Sequence, residues 1–225
     1  MIILTGISGG IGKKIAEALA KNYKILGIYN SNKPERKIRN VRYFKLDLTD
    51  ENQIEKFIKD QKNQLKKIIF ISLAAFKKDN LIINKNIEEW EKTLKLNLNS
   101  NFIFSKKLIN IMIYQKWGRF IFFGSSIIKN DRSGVADYAA SKFALLGLSG
   151  AISSEYKKLN ITSNILELGA VETGLYKRLS KKRKKQILNT FEKKMVSIED
   201  IINSIEFIIH NKSLNNSIIK LDNGM

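Results

Sequence analysis

Tyr138 and Lys142 stand four positions apart in the string Asp-Tyr-Ala-Ala-Ser-Lys, and Ser125 lies upstream, at the end of the apolar run Phe-Ile-Phe-Phe-Gly-Ser that begins at Phe120. On a helix, residues i and i+4 share a face, so a phenol and an ammonium at this spacing converge on one small molecule. A cation beside a phenol favours the phenolate and brings an ordinary pKa of about 10 closer to working pH, which makes tyrosine a usable proton donor and acceptor. The chemistry implied is proton transfer on and off a carbonyl oxygen. Alone, the pair is a weak signal, because two unrelated surface residues of a helix share the same spacing.

The first twelve residues supply a second component. Ile2-Ile3-Leu4 passes directly into Thr5-Gly6-Ile7-Ser8-Gly9-Gly10-Ile11-Gly12, after which Ile11, Ile15, Ala18 and Leu19 recur at helical spacing. A buried strand, a glycine-rich turn and a helix start together form a phosphate cradle. Glycines let the backbone approach an anion, and the free N–H groups of the helix N-terminus bind it.

Positioning these groups requires a scaffold. Apolar runs at Ile25–Tyr29, Val41–Leu46, Ile68–Ser72, Arg119–Gly124, Thr162–Leu166 and Ser217–Leu221 join the first strand to give seven. Helical stretches alternate with them. Asp50–Gln64 is typical, with Asp50 as its cap and Ile54, Phe57 and Ile58 on one face. The alternation predicts an α/β fold: a single Rossmann domain over residues 1–225, with a doubly wound, seven-stranded parallel sheet, helices on both faces and ligand at the carboxyl ends of the strands. Ser125 then closes the fifth strand, Asp47 follows the third, and the glycine turn follows the first.

Composition narrows the function classes. A chain of 225 residues that is 44% hydrophobic buries a sizeable core as one domain, with no linker or repeat in the sequence. The absence of cysteine excludes disulfides and thiol catalysis, and the single histidine, His210, cannot build a histidine-rich metal site and is expected to end a late helix. The chain starts within its first strand and has no apolar segment near the roughly 18 residues of a membrane helix, so a cytoplasmic location is expected. The net charge is +19, from 40 basic against 21 acidic residues. Most lysines read as solvated faces, but Tyr176-Lys-Arg-Leu-Ser-Lys-Lys-Arg-Lys-Lys is a cluster that attracts a polyanion. No aromatic residues for base stacking are interleaved with it, so an acidic carrier protein or a phosphorylated substrate fits it better than nucleic acid.

Taken together, Thr5-Gly6-x-x-x-Gly10-x-Gly12, Asn97, Ser125, Tyr138 and Lys142 resemble the short-chain dehydrogenase/reductase family over the whole chain. The resemblance implies that Gly6, Ser8, Gly9, Gly10, Ile11 and Gly12 hold the pyrophosphate of a nicotinamide dinucleotide. It makes Tyr138 the catalytic acid/base and Lys142 the residue that binds the nicotinamide ribose and lowers the tyrosine pKa. Ser125 hydrogen-bonds the substrate oxygen, and Asn97 holds a water that relays protons. Asp47, followed by Leu48, takes the place of the aspartate that meets the adenine amino group, although a turn carboxylate explains it as well. Ala74 and Ala75 approach the cofactor. Thr173 matches the threonine at the nicotinamide carboxamide, and Val171 adds a backbone contact. At the end of the second strand, Asn30-Ser31-Asn32-Lys33 carries no carboxylate and offers donors and a charge to a 2′-phosphate, so NADP(H) is expected over NAD(H). Gly9 runs against this, since NADP-dependent relatives often place a basic residue there.

Two departures from the family pattern stand out. Ser72-Leu73-Ala74-Ala75 replaces Asn-Asn-Ala-Gly, and Leu168-Gly169 replaces Pro-Gly. Neither removes a proton-transfer group. Within the family, the chain resembles bacterial 3-oxoacyl-[acyl-carrier-protein] reductases through Lys78-Asp-Asn-Leu-Ile, Glu89-Trp90, Trp117-Gly-Arg and Leu221-Asp-Asn-Gly-Met. The function this implies is NADP(H)-dependent reduction of a ketone, a 3-oxoacyl thioester on acyl carrier protein, within fatty acid biosynthesis. A homotetramer is expected, with a basic substrate lid at about 174–196. The alternatives are a reductase of a sugar or nucleotide-sugar in surface-glycan synthesis and a catalytically silent dinucleotide- or polyanion-binding protein.

Overall fold

The computed structural model describes residues 1–126, 133–171, 184 and 195–223. Seven short runs rich in Ile, Leu, Val and Phe form parallel strands: β1 (Ile2–Thr5), β2 (Ile25–Tyr29), β3 (Val41–Lys45), β4 (Ile69–Ser72), β5 (Gly118–Ser125), β6 (Ile161–Leu168) and β7 (Ile218–Leu221). They pair in the order β3-β2-β1-β4-β5-β6-β7. The chain therefore winds one way from β1 to β3, returns past β1, and continues the other way from β4. The reversal between β1 and β4 opens a crevice at their carboxyl ends, the usual ligand position in such a sheet.

Continuous apolar runs suit strands that are covered on both faces. All four residues of β1 and all eight of β6 are buried. On one face lie α2 (Glu51–Gln61), α4 (Ser100–Gln115) and α5 (Ala136–Tyr156), which pack Ile54, Phe57, Phe104, Leu108, Leu145 and Ile152 on Ile3, Phe70, Phe120 and Phe122. On the other lie α1 (Gly10–Leu19) and α6 (Ile198–His210), which pack Ile15, Leu19, Ile201 and Ile205 on Ile2, Leu4, Ile71 and Ile121. Between β4 and α4 runs α3 (Ile87–Leu94), joined to α4 by one π-helical turn, Lys95–Asn99.

Sequence-predicted elements appear within a residue or a few of their expected ends. Asp50 caps α2 by accepting from the N–H groups of Asn52 and Gln53. The stretch expected to run helical to Gln64 leaves the α form after Gln61 and finishes as a 3₁₀ turn, Lys62–Gln64. β5 and β6 outrun their expected ends because their ladder continues as far as Ser125 opposite Leu168. His210 ends α6, with Nε2 3.1 Å from the Tyr23 hydroxyl. Among the described residues, no helix is long and apolar enough to cross a membrane and no acidic or histidine cluster forms a metal site.

Candidate active site

A cavity of about 500 Å³ opens at the carboxyl ends of the strands. One end is the glycine turn between β1 and α1. Gly6 sits at φ +72°, and a Cβ built there would lie 2.9 Å from the Ala74 backbone nitrogen. A Cβ at Gly12 would lie 2.3 Å from the Gly6 carbonyl oxygen. Both contacts are far inside van der Waals range, so the turn closes only with glycine at these positions. No side chain caps α1 at Gly9 and no acidic residue stands in its first turn, which leaves the positive end of the helix to an anion. The residues present therefore fit the diphosphate of a dinucleotide.

The floor beside this turn is the segment after β4. Thr5 Oγ1 accepts from the N–H groups of Leu73 and Ala74, both at 3.1 Å. This fixes the Ser72-Leu73-Ala74-Ala75 strand end without the family's asparagine, and Leu73, Ala74 and Ala75 all line the cavity. The Leu168-Gly169 departure is also accommodated. Leu168 O accepts from Ser126 N at 2.9 Å and Gly169 N donates to Leu221 O at 2.7 Å, so neighbouring segments hold the turn that a proline would have stiffened.

Beyond the glycines, the cavity runs along Ile28, Tyr29, Asn30, Ser31 and Asn32, and past Leu46 and Leu48. Ser8, Gly9, Gly10, Ile11 and Val171 line it as well. Lys33 is exposed and lies outside the lining, as does Asp47. Asp47 Oδ1 accepts from Thr49 N at 2.9 Å and from Thr49 Oγ1 at 2.7 Å, which is the turn geometry that the sequence also allowed. Thr173 and nearly all of the basic segment at about 174–196 lie outside the described residues.

At the opposite end, Ser125, Tyr138 and Lys142 share the cavity wall. Ser125 is the last residue of β5, while Tyr138 and Lys142 occupy the first two turns of α5. A hydrogen bond joins Ser125 to the Tyr138 hydroxyl. Lys142 Nζ donates to Phe123 O at 2.7 Å and lies 5.6 Å from the centre of the Tyr138 ring. Burial pushes the Tyr138 phenol up to about 12; the Ser125 hydrogen bond works against this rise and the charge of Asp79 adds to it. Burial also pushes Lys142 down to about 8. The lowered tyrosine pKa expected from the sequence is therefore not a property of the protein alone. Desolvation outweighs the cation, whose hydrogen bond goes to a backbone carbonyl.

Asn97 is buried in the π-helical turn and does not line the cavity. Its Oδ1 accepts from Phe76 N at 2.8 Å, and its Nδ2 donates to Phe76 O and to Ser141 Oγ, both at 3.0 Å. Its side chain thus ties the post-β4 segment to α5. A π turn exposes an irregular backbone and is common at functional sites. Sequence reasoning missed Lys77, which lines the cavity with Nζ 5.9 Å from the Tyr138 ring centre and 2.9 Å from Asp79 Oδ1. It also missed Leu96. Neither residue carries a sequence signal, because the β4–α3 connection that holds Lys77 and the π turn that holds Leu96 reach the site only through tertiary packing.

Comparison with known proteins agrees with this geometry. Residues 1–184 match the model of the short chain dehydrogenase family. The chain is 32% identical to the 3-oxoacyl-[acyl-carrier-protein] reductase of Buchnera aphidicola subsp. Baizongia pistaciae, an alignment that spans 99% of this chain and 96% of the relative. It is 30% identical to the Escherichia coli K12 protein of the same name, over 92% of this chain and 88% of that one. The Haemophilus influenzae counterpart is 29% identical, over 92% of this chain and 88% of that one.

Proposed function

The chain belongs to the short-chain dehydrogenase/reductase family, and from that membership we propose that it is an NADP(H)-dependent reductase of a 3-oxoacyl thioester carried on acyl carrier protein. The observation that carries this reading is the layout of one cavity, with a glycine-lined anion cradle at one end and Ser125, Tyr138 and Lys142 at the other. The relatives named for 3-oxoacyl-[acyl-carrier-protein] reduction support the substrate class.

In this reading Gly6, Ser8, Gly9, Gly10, Ile11 and Gly12 hold the diphosphate, and Leu48 borders the adenine beside the turn that Asp47 closes. Asn30, Ser31, Asn32 and Lys33 receive the 2′-phosphate. Ala74, Ala75, Val171 and Thr173 border the nicotinamide half. When bound, the reduced nicotinamide supplies the hydride that adds to the carbonyl carbon. Ser125 donates a hydrogen bond to the carbonyl oxygen, and Tyr138 gives that oxygen its phenolic proton. A phenol with a pKa near 12 is present in its protonated, donating form at neutral pH, which suits the reductive direction. Lys142 grips the ribose as an ammonium, and Asn97 holds α5, which carries Tyr138, to the segment after β4. Orientation of these groups does the work: two reacting atoms held together replace an encounter in solution.

A cytoplasmic homotetramer that meets acyl carrier protein through its basic segment, Lys181-Lys182-Arg183-Lys184-Lys185, belongs to the same proposal. The deciding experiment follows NADPH oxidation with 3-oxoacyl thioesters, free and carrier-bound, beside keto-sugars and nucleotide-linked keto-sugars. The expected result is turnover of the thioesters with the highest kcat/KM on the carrier-bound form. Preferential turnover of a keto-sugar would move the assignment to glycan synthesis, and dinucleotide binding without turnover of any carbonyl would make the protein a binding module.

A further inference from the structure

Tyr138 stands in the first turn of α5, the part of a helix least constrained by its own hydrogen bonds. Val135 precedes that helix as its cap residue and gives no side-chain hydrogen bond to it. What holds the first turn is the neighbouring carboxylate. Asp137 Oδ1 accepts from the Tyr138 backbone N–H at 2.9 Å and lies 2.9 Å from Lys85 Nζ. Asp137 Oδ2 accepts from Thr93 Oγ1 at 2.6 Å. The Asp137 side chain is 0% exposed and that of Lys85 4%. Lys85 Nζ also donates to Lys78 O at 3.0 Å, and Asn80 N donates to Gly134 O at 2.8 Å just before the helix. One buried carboxylate therefore ties the helix that carries Tyr138 to α3 through Thr93, and to the β4–α3 connection, which carries Lys77, through Lys85.

A buried ion pair is a poor source of net stability, because removing two charges from water offsets most of their attraction. Its geometry is nevertheless strongly constrained, since each partner left alone is costly. The pairing has an electrostatic consequence too. Burial works against the Asp137 charge, yet the hydrogen bonds from Thr93, Lys85 and the Tyr138 N–H hold its carboxyl below the usual carboxylate range. An uncompensated anion one residue from Tyr138 would oppose the phenolate left after each proton transfer, and the Lys85 ammonium cancels it.

We propose that Lys85, Asp137 and Thr93 form a positioning clasp that sets where Tyr138 sits against the reacting carbonyl, so that they govern the rate of proton transfer and not cofactor affinity. The clasp rests on the reading of Tyr138 as the proton donor. None of the three residues lines the cavity, so they act through Tyr138.

The test compares Lys85→Met, Lys85→Arg, Asp137→Asn, the Lys85→Met/Asp137→Asn double variant and Tyr138→Phe. Sites are counted by stoichiometric NADPH binding, so that loss of folded protein does not mimic loss of rate. Misplacement by about 1 Å costs on the order of 100-fold. Lys85→Met is therefore expected to lose about 10- to 100-fold in kcat per site, with the NADPH Kd within about 2-fold, and Lys85→Arg to recover most of the loss. The double variant removes both buried charges and is expected to regain thermal stability without regaining kcat. A second readout is independent of turnover. In protein labelled at the tyrosine ring, the NMR signal that Tyr138→Phe deletes should be single and sharp in the wild type, and broadened or split in Lys85→Met. An unchanged Tyr138 signal, or a Lys85→Met variant that loses melting temperature but keeps wild-type kcat per site, overturns the clasp. Wild-type kcat in Tyr138→Phe would instead overturn the assignment of the proton donor, and the NMR comparison would still decide whether Lys85 positions that ring.

Discussion

Lys142 Nζ reaches across to the carbonyl oxygen of Phe123 at 2.7 Å, so the ammonium one turn beyond Tyr138 is bonded to the strand that ends in Ser125. That bond joins α5 to β5 at the place where the three proposed active groups meet. It also explains why the cation does not draw the tyrosine proton off in the protein alone. Lys142 is held between a carbonyl and the face of the Tyr138 ring, and both groups titrate under the control of burial.

Replacing Tyr138 by Phe deletes the proposed proton donor and keeps the ring that fills the cavity wall. Turnover of the preferred carbonyl substrate should fall by about 10²–10⁴-fold, while NADPH binding stays near wild type. Steady-state kinetics with a parallel cofactor titration checks it. A variant with near wild-type kcat rejects the mechanism.

The titration of Lys142 predicts a pH dependence of cofactor binding. Its pKa is lowered to about 8, so the ammonium proposed to grip the ribose is present below that pH and is lost as pH rises through it. NADPH affinity of the free enzyme should weaken through this interval, as read by cofactor fluorescence. Constant affinity up to pH 10 would reject the ribose role. Stability should follow the linkage of each group. Between about 8 and the ordinary lysine value of 10.5, the unfolded chain keeps a lysine proton that the folded protein has released, so this group adds stability as pH rises. Between 10.0 and about 12, folded Tyr138 keeps a proton that the unfolded chain loses, so its contribution falls as pH rises.

Cofactor choice should turn on Asn30. No carboxylate stands at the end of β2 in Tyr29-Asn30-Ser31-Asn32 to repel a 2′-phosphate, so kcat/KM should favour NADPH over NADH by about 10- to 100-fold, or roughly 1.4–2.8 kcal/mol. Asn30→Asp adds the repulsion and should move the ratio towards NADH. A wild-type preference for NADH would show that this neutral turn does not select the phosphate.

Gly12→Ala tests the cradle. The added methyl would lie 2.3 Å from the Gly6 carbonyl oxygen, a backbone atom that cannot swing aside, so the turn must shift. Overpacking of this kind typically costs about 1–3 kcal/mol. A lower melting temperature and a loss of NADPH affinity are expected together. Unchanged affinity would mean that the turn does not hold the diphosphate.

The sequence by itself determined the layer order and picked out the groups proposed for proton transfer. Unbroken apolar runs such as Ile25–Tyr29 and Phe120–Phe123 specify strands buried on both faces, and their alternation with amphipathic stretches such as Glu51–Gln61 leaves a parallel sheet as the consistent solution. The spacing of Tyr138 and Lys142 was legible because helical geometry is local. So was the need for Gly6 and Gly12, since a strand-to-helix turn of that length requires them.

Only the tertiary structure decided the rest. The expected effect of Lys142 on Tyr138 was reversed in the protein alone because desolvation depends on everything packed around a group, which no spacing encodes. Asn97 turned inward to Phe76 and Ser141, and Asp47 turned towards Thr49, because each found a backbone or hydroxyl partner across the fold or within a turn. Lys77 and Lys85 came to Tyr138 and Asp137 from a connection more than fifty residues away in sequence. Contacts of that separation exist only once β4, α3 and α5 have packed, so their pairing is a property of the assembled core.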